Sequence, residues 1–369
     1  MSVKIFHIAD LHLGRSFRNL PEAQDTLSEA RYETLNNCIG KANEVKADIF
    51  VIAGDLFDRT SVKVGDIQKA VQAINRFEGE LVLVLPGNHD YITADSPLWD
   101  RFKKKAEEHV LVLDKNEPLE LSVFEHNVMI YPAPCHAKHS AENAIGWVKE
   151  AAKDSDAVDI GIAHGSIEGV SPDFEQRYFP MTIQELEGAG VDLWLMGHTH
   201  ITWPGKPDKR DMIFNPGTPE PDGFACTHEG RAFLHTIDEK KNITTELIST
   251  GTYRFVQADE SVSSPDEVSK LIDNYSGDAW RENVLSLQLT GKLEEEAFEL
   301  WQERRPEIRD SVLELRLDDS GVRRKVTPEQ IQKEFSEGSF PEKLLSFFSD
   351  EDEEDELQMA YELIKEAKQ

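Results

Sequence analysis

The chain has 369 residues, 39% apolar and 30% charged, enough for two domains with sizeable cores. Seventy acidic against forty basic residues give a formal net charge of −30, the reverse of the basic balance that nucleic-acid binders usually show. No run approaches the ~18 consecutive apolar residues of a membrane span, the start MSVKIFHIAD reads as a strand and not a leader, and three scattered cysteines (Cys38, Cys135, Cys226) exclude a disulfide framework and a CxxC zinc site, so a cytoplasmic protein with no membrane contact is expected.

Short β-type runs alternate with helical patterns through the first 250 residues. In chain order the reading is strand Val3–Ala9, helix Ser28–Val45, strand Asp48–Ala53, helix Asp66–Phe77, strand Leu81–Leu85 and helix Leu98–Glu108. Strand Val128–Tyr131, helix Ala141–Ala152 and strands Val158–Ala163 and Val191–Met196 follow. This alternation predicts an α/β fold with buried sheets under helices. After Met212 the runs MIFN, RAFLHTI, ITTELIS and RFVQA have no long helix between them and predict a second, more antiparallel sheet. Polar Gln257–Pro265 reads as a linker. Beyond it, helix Asp266–Asn274, strand Asn283–Thr290, helix Glu294–Arg304 and strand Ser311–Leu317 form a small α/β unit. The domains are therefore placed at 1–256 and 266–345. A tail at 350–369 has seven consecutive acids, Asp350–Glu356, then an amphipathic helix Leu357–Lys368 with one stripe of Leu357, Met359, Ala360, Leu363, Ile364 and Ala367. All twelve histidines lie at or before His235, so the chemistry is expected in the first domain.

Five predicted strands run directly into polar clusters. These are Asp10-Leu11-His12, Gly54-Asp55-Leu56-Phe57-Asp58, Gly87-Asn88-His89-Asp90, His164-Gly165 and Gly197-His198-Thr199-His200. In α/β sheets, ligand sites form outside the carboxyl ends of strands. A single histidine after a strand is most often structural, but five such clusters at five strand ends point to one site. Asp10, His12, Asp55, Asn88, His164, His198 and His200 offer two carboxylates, an amide and four imidazoles. That mixed set suits manganese, iron or zinc better than calcium or magnesium; manganese is the expected ion, with iron, zinc or magnesium as alternatives. Seven donors are too many for one ion and enough for two divalent metal ions, with Asp55 as the shared ligand. Such a pair clamps a phosphoryl group for in-line attack by a hydroxide held between the metals.

The set D-x-H, G-D-x-x-D, G-N-H-D, H-G and G-H-x-H, spanning residues 3–217, resembles the calcineurin-like metallophosphoesterase superfamily. The resemblance implies a four-layer αββα sandwich, here with a small C-terminal α/β capping domain. It implies one metal on Asp10, His12, Asp55 and His200 and the other on Asp55, Asn88, His164 and His198. His89 becomes the histidine that contacts the scissile phosphate or protonates the leaving oxygen. Asp58 becomes the carboxylate that orients His89 and raises its basicity. The segments Asp10–Gly14 (DLHLG), Gly54–Asp58 (GDLFD) and Asn215–Pro219 (NPGTP) look most like the SbcD/YhaO-type DNA double-strand-break repair exonucleases. That resemblance implies a phosphodiesterase acting as exonuclease and endonuclease on duplex or single-stranded DNA ends, an SbcC-like coiled-coil ATPase partner bound by C-terminal helices, and a homodimer through early helices.

Arg59 extends the second motif to G-D-x-x-D-R, as in protein phosphatases, where the arginine grips phosphate. Arg59 and Arg15, beside the first motif, are candidate substrate contacts. Arg18, Lys103–Lys105, Lys206, Lys209, Arg210 and Arg323–Lys325 are further cations that DNA could meet. Two other readings stand beside the nuclease: a metallophosphoesterase for a small phosphodiester, nucleotide or phosphoprotein, and a non-catalytic scaffold.

Overall fold

The computed structural model describes residues 2–94, 96–121, 127–151, 157–350 and 354–367. Residues 351–353 of the acidic run, Ala152 of the fourth predicted helix and Lys368 at the end of the predicted tail helix lie outside them. Contacts divide the chain into Met1–Phe255 and Val256–Gln369. The first unit runs β1 (Val3–Ile8), α1 (Gln24–Glu44), β2 (Ile49–Ala53), α2 (Val64–Ile74), β3 (Leu81–Leu85), α3 (Pro97–Lys103), β4 (Val110–Val112), β5 (Leu119–Leu121), β6 (Val128–Ala133), α4 (Gly146–Glu150), β7 (Val158–His164), α5 (Ile183–Glu187), β8 (Leu193–Gly197), β9 (Ile213–Phe214), β10 (Arg231–Ile237) and β11 (Ile243–Ser249). The second holds β12 (Arg254–Ser261, which begins at the boundary), α6 (Pro265–Tyr275), β13 (Asn283–Leu293), α7 (Glu295–Ser311), β14 (Glu314–Arg324), α8 (Pro328–Glu334), α9 (Phe340–Asp350) and α10 (Glu354–Glu366).

Two sheets stack in the first unit. One has the order β11-β10-β1-β2-β3-β4, the other β5-β6-β7-β8-β9. Side-chain alternation builds the layers. Phe6 and Ile8 of β1, Phe50 and Ile52 of β2, and Val82 and Val84 of β3 face helices α1 to α3. Val3 and Ile5, Ile49 and Val51, and Leu83 and Leu85 face the other sheet, against Ile130, Ile160, Ile162, Leu195 and Phe214. The second sheet's outer face packs Tyr131, Ala163, Trp194 and Met196 against Val148 of α4 and Leu186 of α5. The result is the expected αββα sandwich. Each fully buried Val, Leu, Ile or Phe contributes about 1.5–3 kcal/mol.

The runs after Met212 do not form a sheet of their own. β9 extends the second sheet, while β10 pairs antiparallel with the free edge of β1 and β11 with β10. Four of the five central residues of β10, Ala232 to His235, are buried, which requires cover on both faces; only a place inside the sandwich supplies it. The expected linker Gln257–Pro265 is largely strand β12, sheeted with β13 and β14, and Ser264 caps α6 by accepting from Glu267 N.

In the second unit, β13 and β14 pair in parallel. Leu285, Leu287 and Leu289 pack on Val268 and Ile272 of α6 and on Ala297 and Trp301 of α7. The tail helix α10 belongs to this unit. Leu357, Ala360, Tyr361 and Ile364 join Val326, Ile331, Phe335 and Leu345, whereas Met359 and Leu363, assigned to the same stripe from sequence, are exposed. Among the described residues no helix is long and apolar enough to cross a membrane, and all three cysteines are free and buried.

Candidate metal centre

Registers Ile8↔Ile52, Ala53↔Leu85 and His164↔Gly197 bring the carboxyl ends of β1, β2, β3, β7 and β8 level. The five polar clusters therefore meet at one edge, three from the first sheet and two from the second. Backbone geometry is unusual there. Asp10 (φ 58°), His12 (48°), Asp55 (51°) and His198 (99°) all occupy the left-handed region, where a non-glycine residue is strained. The glycines beside the donors are required by space. A Cβ on Gly54 (φ 96°) would stand 1.9 Å from His164 Nδ1, and one on Gly87 2.2 Å from Asp55 Oδ1.

All seven predicted donors converge. His12 Nε2 lies 3.1 Å from His200 Nε2, 3.6 Å from Asp55 Oδ2 and 3.9 Å from Asp10 Oδ1. Asp10 Oδ1 is in turn 3.6 Å from His200 Nε2. On the other side of Asp55, His164 Nε2 lies 3.3 Å from Asp55 Oδ2 and 3.0 Å from Asn88 Oδ1, which is 2.9 Å from His198 Nδ1. Asp55 Oδ2 thus stands between two donor groups. The triads Asp10–His12–His200, His12–Asp55–His89 and Asp10–Asp55–His164 each bring ligand atoms within 4.8 Å of one another. Buried Asp10 Oδ1 has no hydrogen-bond partner, a vacancy that a divalent ion suits. Nitrogen and carboxylate donors in this mixture fit two such ions.

The charges balance internally. Burial works against ionising Asp55, but His164 and His12 outweigh it and hold its carboxyl well below the usual range. Burial likewise opposes charge on His164, yet Asp55 pushes it up to about 9. His200 is pushed up to about 10 by Asp222 and Asp10 against burial. Burial keeps His12 near 3 and, with the His164 charge, His198 near 4. Binding of ions would displace the protons on His164 and His200.

A supporting shell fixes these rings. His164 Nδ1 donates to Ala53 O at 2.9 Å, leaving Nε2 for ligation. Asp10 Oδ2 and Asp55 Oδ1 accept from His198 N (2.9 Å) and His89 N (2.8 Å). Asp90 accepts from Phe57 N (3.0 Å) and Gly87 N (2.7 Å), clamping two motif loops together. Burial, then the Asp55 charge, pushes its pKa up to about 8. Sequence reasoning missed Asp222, whose Oδ2 takes His200 Nδ1 at 3.0 Å and an ion pair from Arg15. Fully buried Arg31, on α1, lies 3.9 Å from it. Asp222 follows the Asn215–Pro219 turn but belongs to no strand-end motif, so nothing in its spacing marked it. A carboxylate behind a ligating histidine sets its tautomer, and Asp222→Asn is expected to weaken divalent binding about 10–100-fold with the circular dichroism spectrum unchanged; chelator competition measures it.

Asp58 meets His89 differently from the expectation. His89 Nδ1 donates to the Asp58 main-chain carbonyl (3.0 Å), while the Asp58 carboxylate pairs with Arg59 (2.9 Å) and lies 3.9 Å from His12 Nδ1. A carbonyl sets the tautomer of His89 without adding a negative charge. Of the candidate substrate contacts, Arg15 is held by Asp222 and stacked on Phe17, and Arg59 by its neighbour Asp58. Lys103 pairs with Asp114, Arg210 with Asp208, Arg323 with Glu362 and Arg324 with Glu295. Six of the twelve proposed cationic contacts are thus occupied by the chain's own acids.

Parallel strands in stacked sheets thus bring a candidate donor set for two ions to their carboxyl ends, as suits a metal-dependent phosphoesterase. The chain belongs to the calcineurin-like phosphoesterase family, whose sequence pattern matches residues 3–202. It is 24% identical over 310 residues, 76% of this chain and 61% of the relative, to the DNA double-strand break repair protein Mre11 of Methanopyrus kandleri. It is 28% identical over 204 residues, 53% of this chain and 48% of the relative, to the uncharacterized metallophosphoesterase YhaO of Bacillus subtilis. The chain therefore spans less than two thirds of the length of either relative. Among solved structures, the calcineurin-like phosphoesterase YfkN of Bacillus subtilis aligns over 68% of this chain and 91% of its own, with a TM-score of 0.38 and 12% identity.

Proposed function

We propose that this chain is a two-metal phosphodiesterase that trims DNA ends, an exonuclease with endonuclease capacity in DNA repair, working with an SbcC-like coiled-coil ATPase. The observation that carries the chemistry is the complete double donor set, with Asp55 Oδ2 within 3.3 Å of His164 Nε2 and 3.6 Å of His12 Nε2. The DNA substrate is supported by the similarity to the double-strand break repair protein described above. Asp10, His12, Asp55 and His200 would hold one ion, and Asp55, Asn88, His164 and His198 the other; the mixed nitrogen and oxygen donors suit manganese, iron or zinc, and manganese is the ion to test first. Bound there, divalent ions supply Lewis acidity towards the phosphoryl oxygens and bring water towards a neutral pKa.

The chain's own groups then complete the site. Asp55 orders the loop carrying His89 through its bond to His89 N. With Nδ1–H engaged by the Asp58 carbonyl, the transferable proton of the imidazolium form of His89 sits on Nε2, and giving it to the departing sugar oxygen leaves the neutral Nδ1–H tautomer. The His89 ring stands edge-on to His12 at 4.8 Å, which holds it over the cluster.

Digestion of end-labelled duplex and single-stranded DNA with manganese, magnesium or EDTA tests the reading. Manganese-dependent cleavage is expected, and His89→Ala should retain bound metal while losing about 10²–10⁴-fold of the rate. Hydrolysis of bis(p-nitrophenyl) phosphate with no cleavage of DNA would move the substrate to a small phosphodiester. Manganese uptake below one ion per chain would leave a scaffold.

A further inference from the structure

We propose that Arg101 and the cavity it borders form an anion subsite for the phosphate that flanks the scissile one in an oligonucleotide, an inference that rests on the phosphodiesterase reading above. The cavity, of about 420 Å³, is lined by Arg101 and five hydroxyl side chains, Thr60, Ser61, Tyr91, Thr93 and Ser96, over an apolar floor. No carboxylate lines it, although the chain carries seventy. By contrast, the cavity beside His198 and His200 is walled by Asp173 and Asp222 and has no lysine or arginine. An anionic strand leaving the metal centre is repelled on that side and received on this one.

Three observations make the hydroxyl-lined cavity more than an open surface. First, among the described residues Arg101, like Arg18, has no hydrogen bond or ion pair, whereas Arg15, Arg59, Arg177, Arg210, Arg323 and Arg324 are all paired with acids; only Arg101 of the two lines a cavity free of carboxylates. Second, Ser96 Oγ is buried without a partner, an orphaned donor that an incoming oxyanion would satisfy. Third, the walls are continuations of the catalytic loops. Thr60 lies two residues beyond Asp58, and Tyr91 two beyond His89.

Helix α3 holds Arg101 in place. Buried Trp99 and Phe102 pack edge-on against Phe57 of the second motif, at 6.1 and 6.3 Å. Trp99 Nε1 donates to the carbonyl of Asp90 at 2.6 Å. The helix is thus keyed to both motif loops, and Arg101 projects from its exposed side. A guanidinium fork among hydroxyls suits a phosphodiester oxygen pair. The subsite selects a strand over a small diester, because only a strand carries a second phosphate.

The test uses manganese-loaded full-length protein and phosphorothioate-linked thymidine dimer and tetramer, which resist cleavage, with fluorescence anisotropy as the readout. The dimer has only the scissile-position phosphate; the tetramer reaches beyond it. Wild type should bind the tetramer at least tenfold more tightly than the dimer. Arg101→Ala should erase most of that difference and lower the slope of log affinity against log salt by about 0.7, the value for one phosphate contact on a single strand. Arg101→Lys should keep the slope and part of the affinity. Hydrolysis of bis(p-nitrophenyl) phosphate should stay within twofold in both variants. The inference is overturned if Arg101→Ala keeps the wild-type slope and length preference, or if wild type shows no length preference. Loss of bis(p-nitrophenyl) phosphate hydrolysis in wild type would instead strike the phosphodiesterase reading, since binding is read without turnover.

Discussion

Asp55→Asn is expected to leave the sandwich folded while phosphodiester hydrolysis falls by about 10³-fold, the upper end of what one preorganised electrostatic group contributes. Asp55 Oδ2 stands between both donor groups, and Oδ1 accepts from His89 N. The asparagine is nearly isosteric, so packing survives. Its amide cannot supply the negative charge that holds His164 at about 9, nor bridge two cations. Metal analysis after manganese loading should show two ions per chain in wild type and at most one in the variant. Two retained ions with normal turnover would remove Asp55 from its central place.

Gly54→Ala should do comparable damage without touching a donor. The new methyl would stand 1.9 Å from His164 Nδ1 and 2.4 Å from its Cγ, at a φ of 96°. The left-handed backbone costs about 1–2 kcal/mol, and overpacking a rigid site about 1–3 more. Together these should lower the melting temperature by roughly 5–15 °C in a unit of this size. The displaced ring also loses its Ala53 anchor, so hydrolysis should fall with the stability. Gly205→Ala, where a Cβ meets nothing within 4 Å, is the control and should stay within about 0.5 kcal/mol of wild type. Thermal melts and bis(p-nitrophenyl) phosphate assays on the two variants decide the matter.

The cluster of seven candidate donors was readable in the sequence because each sits where a buried strand stops. Ile49–Ala53 and Leu81–Leu85 are apolar on both faces, and Val3–Ile8 is so but for Lys4 and His7, so the polar clusters beyond them stand out. Asp222 carries no such mark: it reaches His200 only because the turn after β9 folds back over the first motif. That Asp58 meets His89 through its carbonyl and not its carboxylate was not readable for a related reason. A motif reports which residue lies near His89, not whether its side chain or its carbonyl faces the ring. The first part of β12, RFVQA, was read as a strand, but its second part was read as a linker because QADES is polar. An alternating strand with one face towards solvent looks polar too, and only its pairing with β13 distinguishes the two. Helix α10 was found, but its apolar stripe was drawn too wide, since Met359 and Leu363 lie outside the patch that packs on Leu345 and Phe335.

The left-handed backbone at Asp10, His12, Asp55 and His198 bears on how such a site can drift over generations. Aspartate, asparagine and histidine are the side-chain-bearing residues that tolerate this conformation best, and they are also residues that ligate divalent ions. Peptide geometry and coordination chemistry therefore restrict these positions to the same short alphabet. Exchanges within it retune the affinity and identity of the bound ion at little conformational expense, while a step outside it forfeits ligand and backbone together. The metal preference of such a centre is open to evolutionary adjustment, whereas the presence of the centre is not easily lost by degrees.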